Sequence, residues 1–353
     1  MTHFADLVGH GGVRDLLQAE LENPAQAYLF VGPSNVGKAS VARRFAAALV
    51  GGEDPEAVRR AKAGSHPDLV LIAPEGRSSI TVEQARGVVA AAVRSPLEAD
   101  RKVFLLEEAS MLNEEAANAL LKTIEEPIPT TTFVLVAESE DDLPATVPSR
   151  CRTIVFGRVP EEDIASGLVE LGIDPESAAN AARISGGRPG LAVALAKEPR
   201  VAAFRDAWLS VPGRITDHPG DAYLITSEVI AATEPLLEAV KRRQELEIER
   251  DHPDVDVPKV VVERQQRELA RAGDALYVTG LELLASFYRD TATAQLGGPV
   301  QNTDIPVASL TRVTTTTAVQ NASRVLDTID ALKTNQRPNL ALASLFLDLG
   351  TDV

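Results

Sequence analysis

The run from Arg101 to Arg152, RKVFLLEEASMLNEEAANALLKTIEEPIPTTTFVLVAESEDDLPATVPSRCR, constrains the fold more than any other stretch. Val103 to Leu106 is an unbroken apolar run bounded by charge, the pattern of a parallel strand buried on both faces. Glu107 and Glu108 then fall at its carboxyl end, where open α/β sheets gather their ligands. Apolar residues at helical spacing predict a helix from about Asn113. Glu125, Glu126 and Pro127 close it, because proline cannot continue a helix interior. Phe133 to Ala137 is the next strand. Beyond it Asp141, Asp142, Pro144 and Pro148 break regular structure and lead to Ser149, Arg150 and Cys151.

Upstream, Tyr28 to Val31 is a short apolar strand that feeds into Gly32-Pro-Ser-Asn-Val-Gly37-Lys38-Ala39-Ser40 and a helix completed by Val41 to Val50. Strand, glycine loop, lysine and helix form the order of a phosphate-binding loop. There, backbone N–H groups and a helix N-terminus hold phosphates while the lysine reaches the terminal ones. Gly32 and Gly37 permit the tight backbone and Lys38 supplies the charge. Ala39, however, stands where a Ser or Thr hydroxyl would hold Mg²⁺. Ser40 comes one residue late, rotated by roughly 100° around the helix. Binding without efficient hydrolysis, or no binding, follows. At the acidic tip Glu107 replaces the metal-holding aspartate with one methylene too many, whereas Glu108 fits the place of the residue that orients the attacking water. Two metal-side positions off pattern argue against ATP hydrolysis by this chain alone. A plainer reading makes both glutamates solvated strand-end charges, more readily Glu107 than Glu108.

Arg150 needs no intact pocket beside it. An arginine just past a strand end can project from the domain edge and stabilise charge on a phosphoryl group transferred in an adjoining subunit. Taken alone, the same residue reads as a surface salt bridge to the acidic run Glu138 to Asp142. Cys151, with no histidine near it in sequence, reads as a packing residue rather than a nucleophile. As the single cysteine of the chain it forms no internal disulfide and no cysteine-rich zinc site, so no structural metal is expected.

A helix within Phe4 to Leu21, a surface helix within Gly51 to His66, a strand at Asp68 to Ile72, a turn after it and a helix at Ile80 to Arg94 capped by Ser79 complete the first domain. The expected class is α/β plus α: a doubly wound parallel sheet domain over 1–157, a small helical domain over 158–200 and an all-α domain over 201–353. In the second, Ser185-Gly-Gly-Arg188-Pro-Gly190 opens a helix at Leu191. In the third, Ser227 to Leu246, Val261 to Leu296 and Leu310 to Leu332 read as helical, interrupted by the acidic insert Asp251 to Pro258. Acidic residues number 51 against 35 basic, a net charge of −16, so the surface repels phosphate backbones overall. Lys241-Arg242-Arg243 and the Arg264 to Arg271 cluster alternate with glutamates and read as solvated helix faces. No apolar run is long enough to span a bilayer, and MTHFADLVGHGG lacks the build of a signal peptide, so a cytoplasmic location is expected.

The segments AYLFVGPSNVGK (27–38), GSHPDLVLI (64–72), KVFLLEEASMLNEEAANALLKTIEEP (102–127), FVLVAESEDDLPATVPSRCR (133–152) and SGGRPGLAVAL (185–195) occur in one order. Together they resemble the bacterial DNA polymerase III clamp-loader subunits of the AAA+ class, nearest the delta prime branch. Tyr288-Arg289-Asp290 and NQRPNLALASLFLDL (335–349) are fainter echoes of that family's collar. The resemblance implies an AAA+ module, a sheet domain with a helical lid, followed by the all-α collar. It also implies a place in a five-subunit ring that opens a sliding clamp and loads it on primed DNA, as part of the DNA polymerase III holoenzyme.

Partners implied are the gamma or tau and delta subunits, with clamp and primed DNA met through the complex and no membrane. In that family, delta prime resembles a stator that does not itself hydrolyse ATP, and Arg150 matches the arginine completing the ATP site of the neighbouring gamma or tau. Lys38 and Glu108 are then remnants of a site of the chain's own, shared with Gly32, Gly37, Ala39, Ser40 and Glu107, while Arg188 lies near the sensor position on the lid. Weakly held ATP or ADP is the cofactor implied. Gly51 to Ala63, without cysteine, stands where many relatives carry a four-cysteine zinc module. Two other readings stay open. One is a self-sufficient AAA+ ATPase, a motor subunit of the same loader or a recombination-linked relative, built on Gly32, Gly37, Lys38 and Glu108. The other is a nucleic-acid-binding module using the basic clusters.

Overall fold

The structure, a computed structural model, describes residues 3–4, 7–74, 79–126, 128–251, 257–302, 305–311, 313–333 and 336–351. The turn expected after Ile72, the closing Pro127 and most of the acidic insert Asp251 to Pro258 lie outside the described residues. The chain divides into two compact units. One comprises Met1–Gly172, Gly187–Gly190 and Gln244–Arg267, the other Ile173–Gly186, Leu191–Arg243 and Glu268–Val353.

In the first unit, α1 (Gly11–Glu20), β1 (Ala27–Val31), α2 (Lys38–Gly51), α3 (Pro55–Lys62), β2 (Leu69–Ile72), α4 (Val82–Ala92), β3 (Lys102–Leu106), α5 (Glu114–Glu125), β4 (Thr131–Val136), β5 (Arg152–Val155) and α6 (Glu161–Glu170) follow in order. The five strands make one sheet in the order β2-β3-β4-β1-β5, and every neighbouring pair is parallel. β1 and β3 are buried along their whole length because successive side chains feed two different cores. Leu29, Val31, Phe104, Leu106, Phe133 and Leu135 join the cluster under α4 and α5. Tyr28, Phe30, Val103, Leu105, Val134 and Val136 join the cluster under α2. Phe104 stacks on Phe133 with centroids 5.2 Å apart, and Phe45 of α2 meets Tyr28 edge-on at 4.9 Å. Truncating such a ring to alanine costs about 3–5 kcal/mol.

Two sequence expectations change here. Arg152–Val155 is a fifth strand, although no strand is expected there from the sequence; it pairs with β1 from Tyr28↔Arg152 to Val31↔Val155 and forms a sheet edge. The cap of α4 is Thr81 rather than Ser79. The Thr81 hydroxyl accepts from the Gln84 N–H, and the Gln84 side chain returns a bond to the Thr81 N–H, a capping box. Asn113 does cap α5, its side chain accepting from the Ala116 N–H at 2.7 Å.

The second unit is helical among its described residues. It takes in α7 (Pro175–Ser185), most of α8 (Pro189–Leu195), α9 (Val201–Leu209), α10 (Val211–Arg214), α13 (Val307–Leu310), α14 (Thr315–Lys333) and α15 (Pro338–Gly350). It also holds the greater part of two long helices, α11 (Pro219–Asp251) and α12 (Lys259–Gln295), whose stretches 244–251 and 259–267 belong to the first unit. Trp208 anchors the core of the second unit against Phe204 and Phe346. Gly280 of α12 passes so close that a Cβ there would lie 2.0 Å from the indole. Among the described residues no helix is long and apolar enough to cross a membrane.

Candidate functional site

The loop between β1 and α2 sits at the carboxyl end of β1, which lies between β4 and the edge strand β5. Gly32 adopts φ +145° beside β5, where a Cβ would lie 2.1 Å from the Phe156 carbonyl oxygen. Gly37, at φ +103°, is the N-cap of α2 and offers no side-chain cap. The buried Lys38 ammonium donates to the Gly32 and Pro33 carbonyls at 2.6 and 2.7 Å, so it closes the loop on itself. His10 bonds the Val36 carbonyl at 2.8 Å through Nε2, and Ser34 bonds the Glu138 carboxylate past the end of β4. Ser40 does not substitute for Ala39. Its hydroxyl accepts a 2.6 Å bond from Arg44, one turn further along α2.

Glu107 and Glu108 stand at the end of β3, and neither is a solvated charge. Their side chains are 14% and 6% exposed. Glu107 accepts a 3.0 Å bond from Arg43, which lies four residues after Ala39 and hence on the same side of α2. Arg264 approaches Glu107 at 3.9 Å, and Arg267 donates through Nε to Glu108 at 3.2 Å. The expectation of a solvated face for the Arg264 to Arg271 cluster is therefore corrected at these two arginines, 16% and 22% exposed. The sequence alone missed them because their partners lie about 160 residues away, at a separation of 159 for Arg267 and Glu108. A magnesium nucleotide fits this arrangement poorly. The hydroxyl ligand is absent at Ala39, guanidinium groups already neutralise the acidic tip, and Lys38 is bonded to the loop's own carbonyls.

Arg150 closes a short 3-10 turn, Pro148–Arg150, just ahead of β5. Its guanidinium donates to the Thr146 carbonyl at 2.7 Å and pairs with Glu125 at the end of α5, rather than with the run Glu138 to Asp142. Both partners are about one-third exposed, 33% and 37%. They line an open groove of about 630 Å³ together with Gln26, Ile124, Ser149 and Arg152. Arg152 is tied at 2.7 Å to Glu20, which also accepts from the Tyr28 hydroxyl. Cys151 packs against the core beneath α4 and α5, and burial pushes its thiol up to about 12. Arg188, in the turn before α8, is buried.

A parallel sheet in this strand order, with the glycine loop after β1 and the acidic pair after β3, fits an AAA+ module, here followed by a helical unit. Residues 12–160 match the family described as "DNA polymerase III, delta subunit". The chain is 34% identical over 166 residues to the DNA polymerase III subunit delta' of Bacillus subtilis, covering 45% of this chain and 50% of that protein. It is 38% identical over 136 residues to the delta' subunit of Pseudomonas aeruginosa, covering 36% and 42%. The tau/gamma subunit of Haemophilus influenzae is 33% identical over 178 residues, covering 48% and 26%. The chain thus spans half or less of the length of these relatives. The resemblance to clamp-loader delta prime subunits holds, and the AAA+ portion carries it.

Proposed function

We propose that this chain is a delta prime-type clamp-loader subunit that acts in DNA replication within the cytoplasm. It hydrolyses no ATP by itself and lends Arg150 to the ATP site of a neighbouring gamma- or tau-type subunit. One contrast carries the reading: Arg150 is intact at an open groove on the sheet edge, while the chain's own loop lacks the metal-holding hydroxyl and has its acidic tip neutralised by arginines. The tether to Glu125 is no obstacle, since exposed ion pairs contribute only about 0–1 kcal/mol. A phosphoryl group gathering charge next door would outbid it, because guanidinium binds such oxygens in two-pronged fashion.

Within this reading the gamma or tau and delta subunits are direct partners, and the sliding clamp and primed DNA are met through the assembly. The test is a loader reconstituted with Arg150→Ala. Assembly should survive, and turnover at the affected site should fall by about 10³-fold or more, as it does when other arginine fingers are removed. Undiminished turnover in an intact assembly overturns the proposal.

A further inference from the structure

We propose that the basic face at the start of α12 is a built-in stopper. Arg264 and Arg267 hold Glu107 and Glu108 in ion pairs that shut the chain's own loop to a magnesium nucleotide. This deepens the account of the silent loop but does not depend on what Arg150 does, so either can fail alone.

Two carboxylates with so little solvent around them lose hydration, a cost that pairing with cations offsets. In a working site the cation is a metal. Here Arg43 bonds Glu107 from α2 at 3.0 Å, while Arg267 donates to Glu108 at 3.2 Å and Arg264, three residues earlier and so on the same face of α12, stands 3.9 Å from Glu107. Their placement is built rather than incidental. Val261, one turn before Arg264, is 2% exposed and lies against the turn at Gly64, where a Cβ would sit 3.5 Å from its methyl group. One residue beyond Arg264, Gln265 exchanges amide–carbonyl contacts at 3.5 Å with Gln244 of α11. The stretch 244–267 is accordingly part of the first compact unit, with the loop and the acidic tip.

An entering metal must displace guanidinium groups held beside the carboxylates by the fold itself. Apparent affinity for the metal nucleotide is then cut down to the intrinsic affinity multiplied by the fraction of molecules in which these guanidinium groups have left the carboxylates. Restoring the missing hydroxyl is therefore not enough to restore binding.

The experiment is calorimetric titration of the full chain with ATP in Mg²⁺ and in EDTA. Ala39→Thr alone should leave binding weak and indifferent to Mg²⁺. Ala39→Thr combined with Arg264→Gln and Arg267→Gln should bind at least about tenfold more tightly with Mg²⁺, a difference of about 1.4 kcal/mol. Equal affinity in the two proteins, or tight Mg²⁺-dependent binding by Ala39→Thr alone, overturns the stopper. If the glutamine pair fails to melt cooperatively, Arg264→Lys with Arg267→Lys is read in its place, since lysine keeps the charge and loses the planar fork. A tightening of a few-fold is then expected, and none overturns the proposal.

Discussion

Gly32 invites the substitution that best separates a loop kept for phosphate from a loop kept for packing. With alanine at this position the new Cβ would lie 2.1 Å from the Phe156 carbonyl oxygen, so that carbonyl must retreat by about 1 Å before ordinary contact is regained. The retreat strains the 2.7 Å bond from the Phe156 N–H to the Val31 carbonyl and loosens the Phe156 ring, which lies 5.3 Å from Phe30 and 5.0 Å from His10. Positive φ, overpacking and a weakened backbone bond together put the cost at roughly 3–6 kcal/mol. Gly37 is the internal control: its φ is also positive, yet a Cβ there meets nothing within 4 Å, so alanine costs only about 1–2 kcal/mol. Hydrogen exchange of peptides covering 27–31 and 152–156 reads the local opening free energy of both variants. Gly32→Ala should lose protection in both strands well beyond Gly37→Ala. Equal, small losses would refute the steric reasoning and return Gly32 to a role at phosphate.

Two further outcomes follow from buried groups. Burial raises the Asp68 carboxyl, but N–H bonds from Ala99, Glu98 and Leu97 at 2.9, 2.7 and 2.7 Å outweigh it and hold the pKa below the ordinary carboxylate value. Because the folded pKa is the lower one, the stabilisation is fully present above the unfolded value of about 3.9 and is lost as pH falls through the folded value. Asp68→Asn should cost about 2–4 kcal/mol at pH 7, and its gap from wild type in urea melts should narrow below about pH 4. Cys151, its thiol raised to about 12, should react with iodoacetamide at pH 8 roughly 10³-fold more slowly than a free thiol of ordinary pKa, and prompt labelling would contradict its packing.

The first four strands were legible because apolar runs such as Val103–Leu106 feed a core on each side of the sheet, which leaves no polar position to interrupt them. β5 was not: Arg152 and Val155 are exposed, Thr153 is only partly covered, and Ile154 alone among its four residues is buried, so no run forms. Thr81 displaced Ser79 as the cap because a glutamine three residues on closes a capping box from Thr81, a local signal that was there to be read. The departure at Ala39 from the phosphate-loop pattern was visible in one letter. The pairing of the acidic tip with Arg43, Arg264 and Arg267 was not, since charges alternating along a helix look solvated until the fold supplies a partner from a distant strand. The position of Arg150 after β4 is plain in the sequence, but its resting partner Glu125 depends on how α5 ends against the sheet edge.

The direct contest is between the two cations of this chain in a reconstituted loader, measured as single-turnover ATP hydrolysis. Lys38→Ala should leave the rate unchanged, whereas Arg150→Ala should lower it at one site by about 10³-fold. Loss of turnover with Lys38→Ala, together with an unaffected Arg150→Ala, would contradict this expectation.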